Sequence, residues 1–593
     1  MRVNLIFTPF VSPSCVPIGL ASLKSYVERN IRGVNIKTID LDIEFVNHIA
    51  KGNVKEVCNV CLAKDSSGCW AHLEKFNEPY QIPDELKERF LIAKKVVKDS
   101  GAFYNKNLFV WSLLPLFKFT KRYSNCVSSV LHWFLEERIT DENFIYDLLR
   151  IYIERAIDGN PELIGFSALT NDQTDFALAM AKIIRERYKI PVLFGGPGFS
   201  HNFNPKDLMD VFDFIDFFIV KEGEEALLEL IQKMPNENYD KVPNLIWRKN
   251  GKISFNKEIP ITDLDKLPTP DFSDFALDEY YFPELILPIS ASRNCPWGIC
   301  KFCALNTNYT GKYRVRSVKH ILGDIRSLQE KYGVKYFFFT DSEIAPRRFK
   351  EIGQAISEAG VEAFFGCYAR PTKSLNFEAL KAAYEGGFRY LHVGVESFSN
   401  RVLRNISKGT TRDSIQTFLK NANDLNMTVL CYMLATPPTQ TREELMNDLK
   451  EIAFFQRKYK NILLVTYSVF NLGKFMRFFD ERKDYGIKIT EKIPAFEPIS
   501  SKKVYLENVI QFRYDSNGPY DILGNDHHQI CYASQAQNLL DKKMKKLGIN
   551  QKDAIFINLI NNFLFETQLL YAKRFAESLP QRMSGFVKQL ISH

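Results

Sequence analysis

Cys295, Cys300 and Cys303 stand in one short run, Asn294-Cys295-Pro296-Trp297-Gly298-Ile299-Cys300-Lys301-Phe302-Cys303, directly after the apolar stretch Leu285-Ile286-Leu287-Pro288-Ile289. Three thiolates on one tight loop can hold three corners of a four-iron cluster and leave the fourth iron without a protein ligand. An iron left open can bind a small molecule, which suits chemistry better than electron storage. Zinc sites also use a two-residue Cys spacing, but a structural zinc needs four ligands. No fourth cysteine follows within a few residues, and the nearest later histidine, His320, lies in a charged, helix-like stretch. The spacing therefore predicts a [4Fe-4S] cluster on these three cysteines in preference to zinc.

The loop must be positioned by a large fold. At 593 residues the chain is too long for one ordinary domain, and two to four are expected. Composition is that of a folded protein, 45% hydrophobic and 25% charged, with a net charge of +8 that permits an acidic partner without demanding nucleic acid. Eleven cysteines at irregular spacings, with no signal-peptide pattern at the start, predict a reducing, cytoplasmic setting. The longest apolar stretch, residues 108–119, is too short for a membrane span and contains Pro115.

The first part reads as alternating strands and helices, hence a parallel, doubly wound sheet. Strands are predicted at residues 3–8, 34–39, 164–167, 192–194 and 214–220. Such sheets bind ligands outside the carboxyl ends of their strands. There lie Ser167-Ala168-Leu169, Gly195-Gly196 and Glu222-Gly223-Glu224. A segment between the second and third strands, about residues 45–158, reads as a helical insertion. Within it Cys58, Cys61 and Cys69 form a weaker metal candidate, for which no fourth ligand is evident.

Residues 246–285 read as a linker rich in Pro and Asp, after a first domain of residues 1–245. Six further strands are predicted at 286–291, 335–340, 363–368, 390–395, 428–434 and 462–467, with helices between them. Six β/α units over residues 286–475 imply a partial (β/α)6, TIM-like barrel, whose ligands belong at its carboxyl rim. That rim carries Asp341-Ser342-Glu343, Arg370 and Gly394-Val395-Glu396-Ser397. Residues 476–593 read as a mixed, then mostly helical, capping domain that helps define the substrate. In it, Asp526-His527-His528 and the lysine run 542–546 read as a solvated loop and an exposed helix face.

The cysteine loop, with aromatic Phe302 before the last cysteine, resembles the cluster loop of the radical S-adenosylmethionine (SAM) enzymes. It has one residue more in the first gap than the commonest family spacing, a variant associated with members that carry a cobalamin domain. The first domain resembles that cobalamin-binding domain: Ser167-Ala168-Leu169 matches its Ser-x-Leu element and Gly195-Gly196 its later Gly-Gly, with 25 residues between them. A generic flavodoxin-like sheet also places Gly-Gly after a strand; the pairing with the cluster loop favours cobalamin. Val16 occupies the position of the family's cobalt-ligating histidine, so the resemblance implies cobalt without a protein imidazole.

Carried over residue by residue, the resemblance implies that Asp341 and Ser342 bind the methionine amino group of SAM, Arg370 its carboxylate, and Glu396 or Ser397 ribose or carboxylate. Ala435 stands where relatives have a glycine, which weakens the adenine-site match. The implied activity is methylation of an unactivated carbon by way of a 5′-deoxyadenosyl radical and methylcobalamin. The substrate would be a small molecule or a peptide, including ribosomal peptides under maturation, and an external flavodoxin- or ferredoxin-type reductant would supply electrons. A non-methylating radical rearrangement, cyclisation or ring contraction uses the same cofactors. A cobalamin or redox-sensing binding protein is the alternative of another class, against which the polar rim argues, because a sensor needs no SAM site.

Overall fold

The computed structural model describes residues 1–12, 14–50, 84–99, 106–305 and 309–514. Cys58, Cys61, Cys69, Asp526-His527-His528 and the lysine run 542–546 lie outside the described residues.

The first sheet has seven strands in the order β2-β1-β3-β4-β5-β6-β7. The first five, β1 (Arg2–Phe7), β2 (Asn35–Asp40), β3 (Leu163–Ser167), β4 (Val192–Gly195) and β5 (Phe217–Ile219), run parallel. Their runs are apolar and buried on both faces: Val3, Leu5, Ile164, Phe166, Val192, Phe194 and Phe218 are all within the core. The order reverses between β1 and β3. Connections leave that point in opposite directions and open a crevice beyond the strand ends.

Two strands lie where the sequence reading placed the linker. β6 (Leu245–Lys249) and β7 (Lys252–Phe255) extend the sheet antiparallel. Asn250-Gly251 turns between them with φ of 51° and 75°, the two positive values that a tight hairpin turn requires. The rest of the predicted linker is bound down, because Phe272, Tyr280 and Tyr281 are buried. Lys24 pairs with Asp274 at 2.6 Å, and Tyr280 donates its hydroxyl hydrogen to Asp40. The insertion is helical where described, with helices Leu41–Ala50, Asp84–Lys98, Lys106–Leu135 and Glu142–Ile157.

The second sheet contains the six predicted barrel strands, all parallel, in the order β15-β14-β13-β12-β11-β8. They are β8 (Ile286–Ile289), β11 (Tyr336–Phe339), β12 (Phe364–Ala369), β13 (Phe388–Glu396), β14 (Thr428–Ala435) and β15 (Ile462–Val469). The small pair β9 (Ser292–Arg293) and β10 (Arg314–Val315) stands at the base of the cysteine loop. Helices Val318–Tyr332, Phe377–Glu385, Arg412–Asp424 and Arg442–Lys458 start where Ser317, Asn376, Thr411 and Thr441 each accept a backbone N–H. One face of the sheet is sealed by phenylalanines, Phe339 stacking on Phe388 at 5.5 Å.

After the barrel, β16 (Ile487–Phe496) and β17 (Val504–Tyr514) form an antiparallel hairpin. The described part of the capping region is therefore the mixed part; its predicted helical part lies outside the described residues. The hairpin docks on the insertion, with Phe496 stacked on His132 at 5.1 Å and the Glu497 amide donating to Glu136 at 2.7 Å.

Candidate active site

The cysteine loop is fixed at several points. Asp341, at the end of β11, accepts the Ala291 amide at 2.9 Å and the Ser292 hydroxyl. The Trp297 indole donates to the Ser407 carbonyl at 2.8 Å, and the Lys301 amide to the Ile406 carbonyl at 3.0 Å. Gly409, at φ 70°, lets Trp297 approach: a Cβ there would lie 2.3 Å from the indole ring. Cys295, Cys300 and Cys303 are partly buried and face one another closely enough to raise each other's charging cost. Burial pushes all three thiols up, Cys300 to about 12, so binding of a metal there must displace protons. Among the described residues no three His, Cys, Asp or Glu converge tightly enough for a single ion. A cluster several ångströms across accepts wider ligand spacing, and this donor set of three thiols fits one.

Around the thiols lies a ring of paired charges. Cys295 Sγ lies 3.6 Å from Glu343 Oε2, and the same oxygen accepts from Arg370 Nε at 3.0 Å. Glu343 Oε1 is buried with no hydrogen-bond partner. The Arg370 guanidinium stacks over Trp297 at 4.5 Å. Lys408 reaches Glu396 Oε1 at 2.8 Å and lies 5.6 Å from the Phe302 ring. Burial alone would lower the Lys408 ammonium, but Glu396, by charge and hydrogen bond, together with Cys300 and Cys303 holds the pKa above the ordinary value.

The rim residues expected from the sequence divide. Arg370 and Glu396 surround the thiols, and Ser342 is half-buried beside Glu343. Asp341 is spent on the loop backbone, and Glu343 is the carboxylate that faces the cysteines. Ser397 points into the core: its hydroxyl donates to Asp448 at 2.7 Å, alongside the Phe398 amide and Gln440. For Glu396 and Ser397 the cause is direction: adjacent side chains at a strand end face opposite ways, and a linear motif does not say which faces the rim. Asp341 and Glu343, two residues apart, lie in the loop beyond β11, where strand alternation no longer applies.

The ligand edge of the first sheet carries Ser167, Leu169, Gly195, Gly196, Gly223 and Glu224 together. Leu169 is an exposed apolar side chain, 47% accessible, at the switch point. Gly195 is open, a Cβ there meeting only Ile219 O at 3.5 Å. Gly196 is not: at φ 92° a Cβ would lie 2.5 Å from Ala168 O, so this glycine presses two loops together. Val16 is buried. Gly223 packs beside Leu23, and Glu224 is paired with Arg293 instead of facing a ligand. Two residues that the sequence did not flag shape this edge. Gln173 accepts the Leu169 amide at 2.6 Å and donates to the Thr8 carbonyl, and Asp42 accepts the amides of Phe10, Val11 and Ser12. An open glycine beside an exposed leucine, on loops held from below, fits a large flat cofactor.

Residues 289–452 match the radical SAM superfamily. This chain carries a radical SAM domain. It is 27% identical over 297 residues to an uncharacterized methyltransferase of Pyrococcus horikoshii, covering 49% of this chain and 64% of that one. It is 30% identical over 290 residues to the hopanoid C-3 methylase of Methylococcus capsulatus, covering 47% and 53%. The chain thus spans less than two thirds of these curated relatives. Its fold matches the radical SAM methyltransferase TsrM of Kitasatospora setae, solved with cobalamin and a [4Fe-4S] cluster, with TM-score 0.53 at 14% identity over 84% of this chain and 83% of that one.

Inside the radical SAM domain the sheet's inner face is polar and aromatic. His392 shares a 2.9 Å hydrogen bond with the Tyr432 hydroxyl and lies 4.9 Å from the Tyr368 ring. Burial lowers the His392 pKa to about 3, so the imidazole is neutral. Barrel interiors are more often filled by branched aliphatic residues. The alternation at Tyr368, His392 and Tyr432 was readable as strand, but the face it points to was not.

Proposed function

We propose that this protein is a cobalamin-dependent radical SAM enzyme that methylates an unactivated carbon. The carrying observation is the grouping of three partly buried thiols with Glu343, whose second oxygen has no hydrogen-bond partner, on a rim tied to the ligand edge of the first sheet. Bound there, a [4Fe-4S] cluster with SAM would supply a 5′-deoxyadenosyl radical, and cobalamin on the first sheet would supply the methyl group. Cys295, Cys300 and Cys303 would hold the cluster. Glu343 Oε1 would accept an ammonium, and Arg370 would steer a carboxylate while fixing Glu343. Glu396 and Lys408 form a closed ion pair beside the thiols. Leu169, Ser167 and Gly195 would cradle the corrin, with buried Val16 offering cobalt no donor atom.

The methylase names of relatives at 27% and 30% identity favour methyl transfer over rearrangement. The substrate class is a small molecule or peptide, and electrons come from an external flavodoxin- or ferredoxin-type protein. A reducing, cytoplasmic setting suits a loop whose three free thiols must stay reduced to hold a cluster. No described helix is long and apolar enough to cross a membrane.

Anaerobic reconstitution with iron, sulfide, cobalamin, SAM and a reductant tests the reading. Iron and cobalamin should both be retained, and 5′-deoxyadenosine should form. With substrate, 5′-deoxyadenosine and S-adenosylhomocysteine should accumulate equally with methylated product. If 5′-deoxyadenosine forms with product but S-adenosylhomocysteine does not, methyl transfer is wrong and a radical rearrangement replaces it.

A further inference from the structure

The base of the cysteine loop is bolted to the other domain by four largely buried charges. Arg293, two residues before Cys295, donates to Glu222 Oε1 at 2.9 Å and to both oxygens of Glu224, one of them at 3.3 Å. Arg314, which pairs with Arg293 across the β9–β10 ladder, donates to Glu222 at 3.0 Å. The side chains are 12%, 1%, 7% and 11% exposed for Arg293, Glu222, Glu224 and Arg314. Glu222 also accepts the Ile261 amide at 2.8 Å, and Tyr309 lies under the Arg293 guanidinium at 5.3 Å.

The placement is what matters. Glu222 and Glu224 flank Gly223 directly beyond β5, on the ligand edge of the first sheet, and Arg293 opens the loop that carries all three cysteines. Arginine suits this place because its planar fork engages two carboxylates at once. Burial alone would raise the Glu224 carboxyl, but the charge and hydrogen bonds of Arg293, with its own backbone amide and the charge of Arg314, together hold it below the ordinary value.

We propose that Arg293 is a positioning residue that couples the two cofactor sites: through Glu222 and Glu224 it sets the cysteine loop on the end of β5, so that filling either site stabilises the other. This rests on the cofactor reading above. A ligand that orders the β5 turn holds the two carboxylates in place, and these hold Arg293. A cluster that orders the loop does the reverse. Such coupling is reciprocal by thermodynamic necessity.

The test is equilibrium dialysis of hydroxocobalamin against cluster-loaded and iron-free protein, read as the ratio of the two Kd values. In the wild type cobalamin should bind several-fold more tightly to cluster-loaded protein, within the roughly 5–150-fold range common for coupled sites. In R293Q/E224Q, which removes one charge of each sign, the ratio should fall toward one while iron per chain is kept. R293K, which keeps the charge but not the fork, should fall between. E224Q alone carries the test should the double variant melt early, and it too should lower the ratio. In the cluster-loaded protein, the magnetic broadening of the Co(II) signal by the reduced cluster should also change in R293Q/E224Q, since it reports the distance between them. A wild-type ratio of one, or an unchanged ratio in the variants, overturns the coupling. Failure of the wild type to retain iron and cobalamin sinks the functional reading itself, and this inference with it.

Discussion

Glu343 brings one carboxylate oxygen within 3.6 Å of Cys295 Sγ, while its other oxygen is buried without a hydrogen bond. A buried acceptor left open costs stability unless a ligand completes it. Arg370 holds the carboxylate from one side at 3.0 Å, so the open oxygen cannot swing away. The pairing places a ready acceptor for an ammonium beside the first thiol.

Glu343→Gln should weaken SAM binding by roughly 10- to 100-fold, the value of one charge-assisted hydrogen bond. The amide keeps the shape but loses the charge. Iron content should stay at the wild-type level. Isothermal titration of reconstituted protein with SAM measures it, and unchanged affinity would show that Glu343 serves the loop and not the ligand.

Replacing Cys295, Cys300 and Cys303 together by Ala should leave almost no iron after anaerobic reconstitution, since a cluster cannot be held without its thiolates. Should about four irons per chain remain, the cluster sits elsewhere, and Cys58, Cys61 and Cys69 become the next ligands to remove.

How far the sequence carried these assignments depends on side-chain direction. Six barrel strands and the parallel core of the first sheet were legible because buried parallel strands are continuous apolar runs between helices. The hairpin at Asn250-Gly251 was missed although its turn signal is strong, because the Pro- and Asp-rich residues after it read as linker. Asp341 and Glu343 lie two residues apart in one motif, and only the fold separates the carboxylate that holds the loop from the one that faces the thiols. The charge network of Arg293 was unreadable because its partners lie 69 and 71 residues earlier, in another domain.

Gly195 and Gly196 should respond differently to the same change. Gly196→Ala places a Cβ 2.5 Å from Ala168 O at φ 92°, a strain of about 1–3 kcal/mol, so both Tm and cobalamin retention should fall. Gly195→Ala meets only an ordinary contact, so Tm should hold. A larger side chain there, Gly195→Val, should then expel cobalamin by filling the cofactor's path. Full cobalamin retention in Gly195→Val would move the corrin away from β4. Absorbance after desalting, beside a melting curve, reads both.

Asp448 gives a pH test independent of any cofactor. Burial raises its carboxyl from 3.8 to about 7, while Ser397 and the Phe398 amide pull the other way. Between those values the folded protein keeps the proton that the unfolded chain has lost. Stability therefore falls as pH rises from about 4 to 7 and is level above, by an amount on the order of 4 kcal/mol for a shift of this size. Asp40 and Asp341, pushed up to about 8 and about 6, act with the same sign, so the wild-type slope is shared. Asp448→Asn cannot titrate. The gap in Tm between variant and wild type should thus move in the variant's favour across that window. Parallel curves would mean that Asp448 stays ionised, with Ser397, Gln440 and the Phe398 amide sufficient to hold its charge in the core.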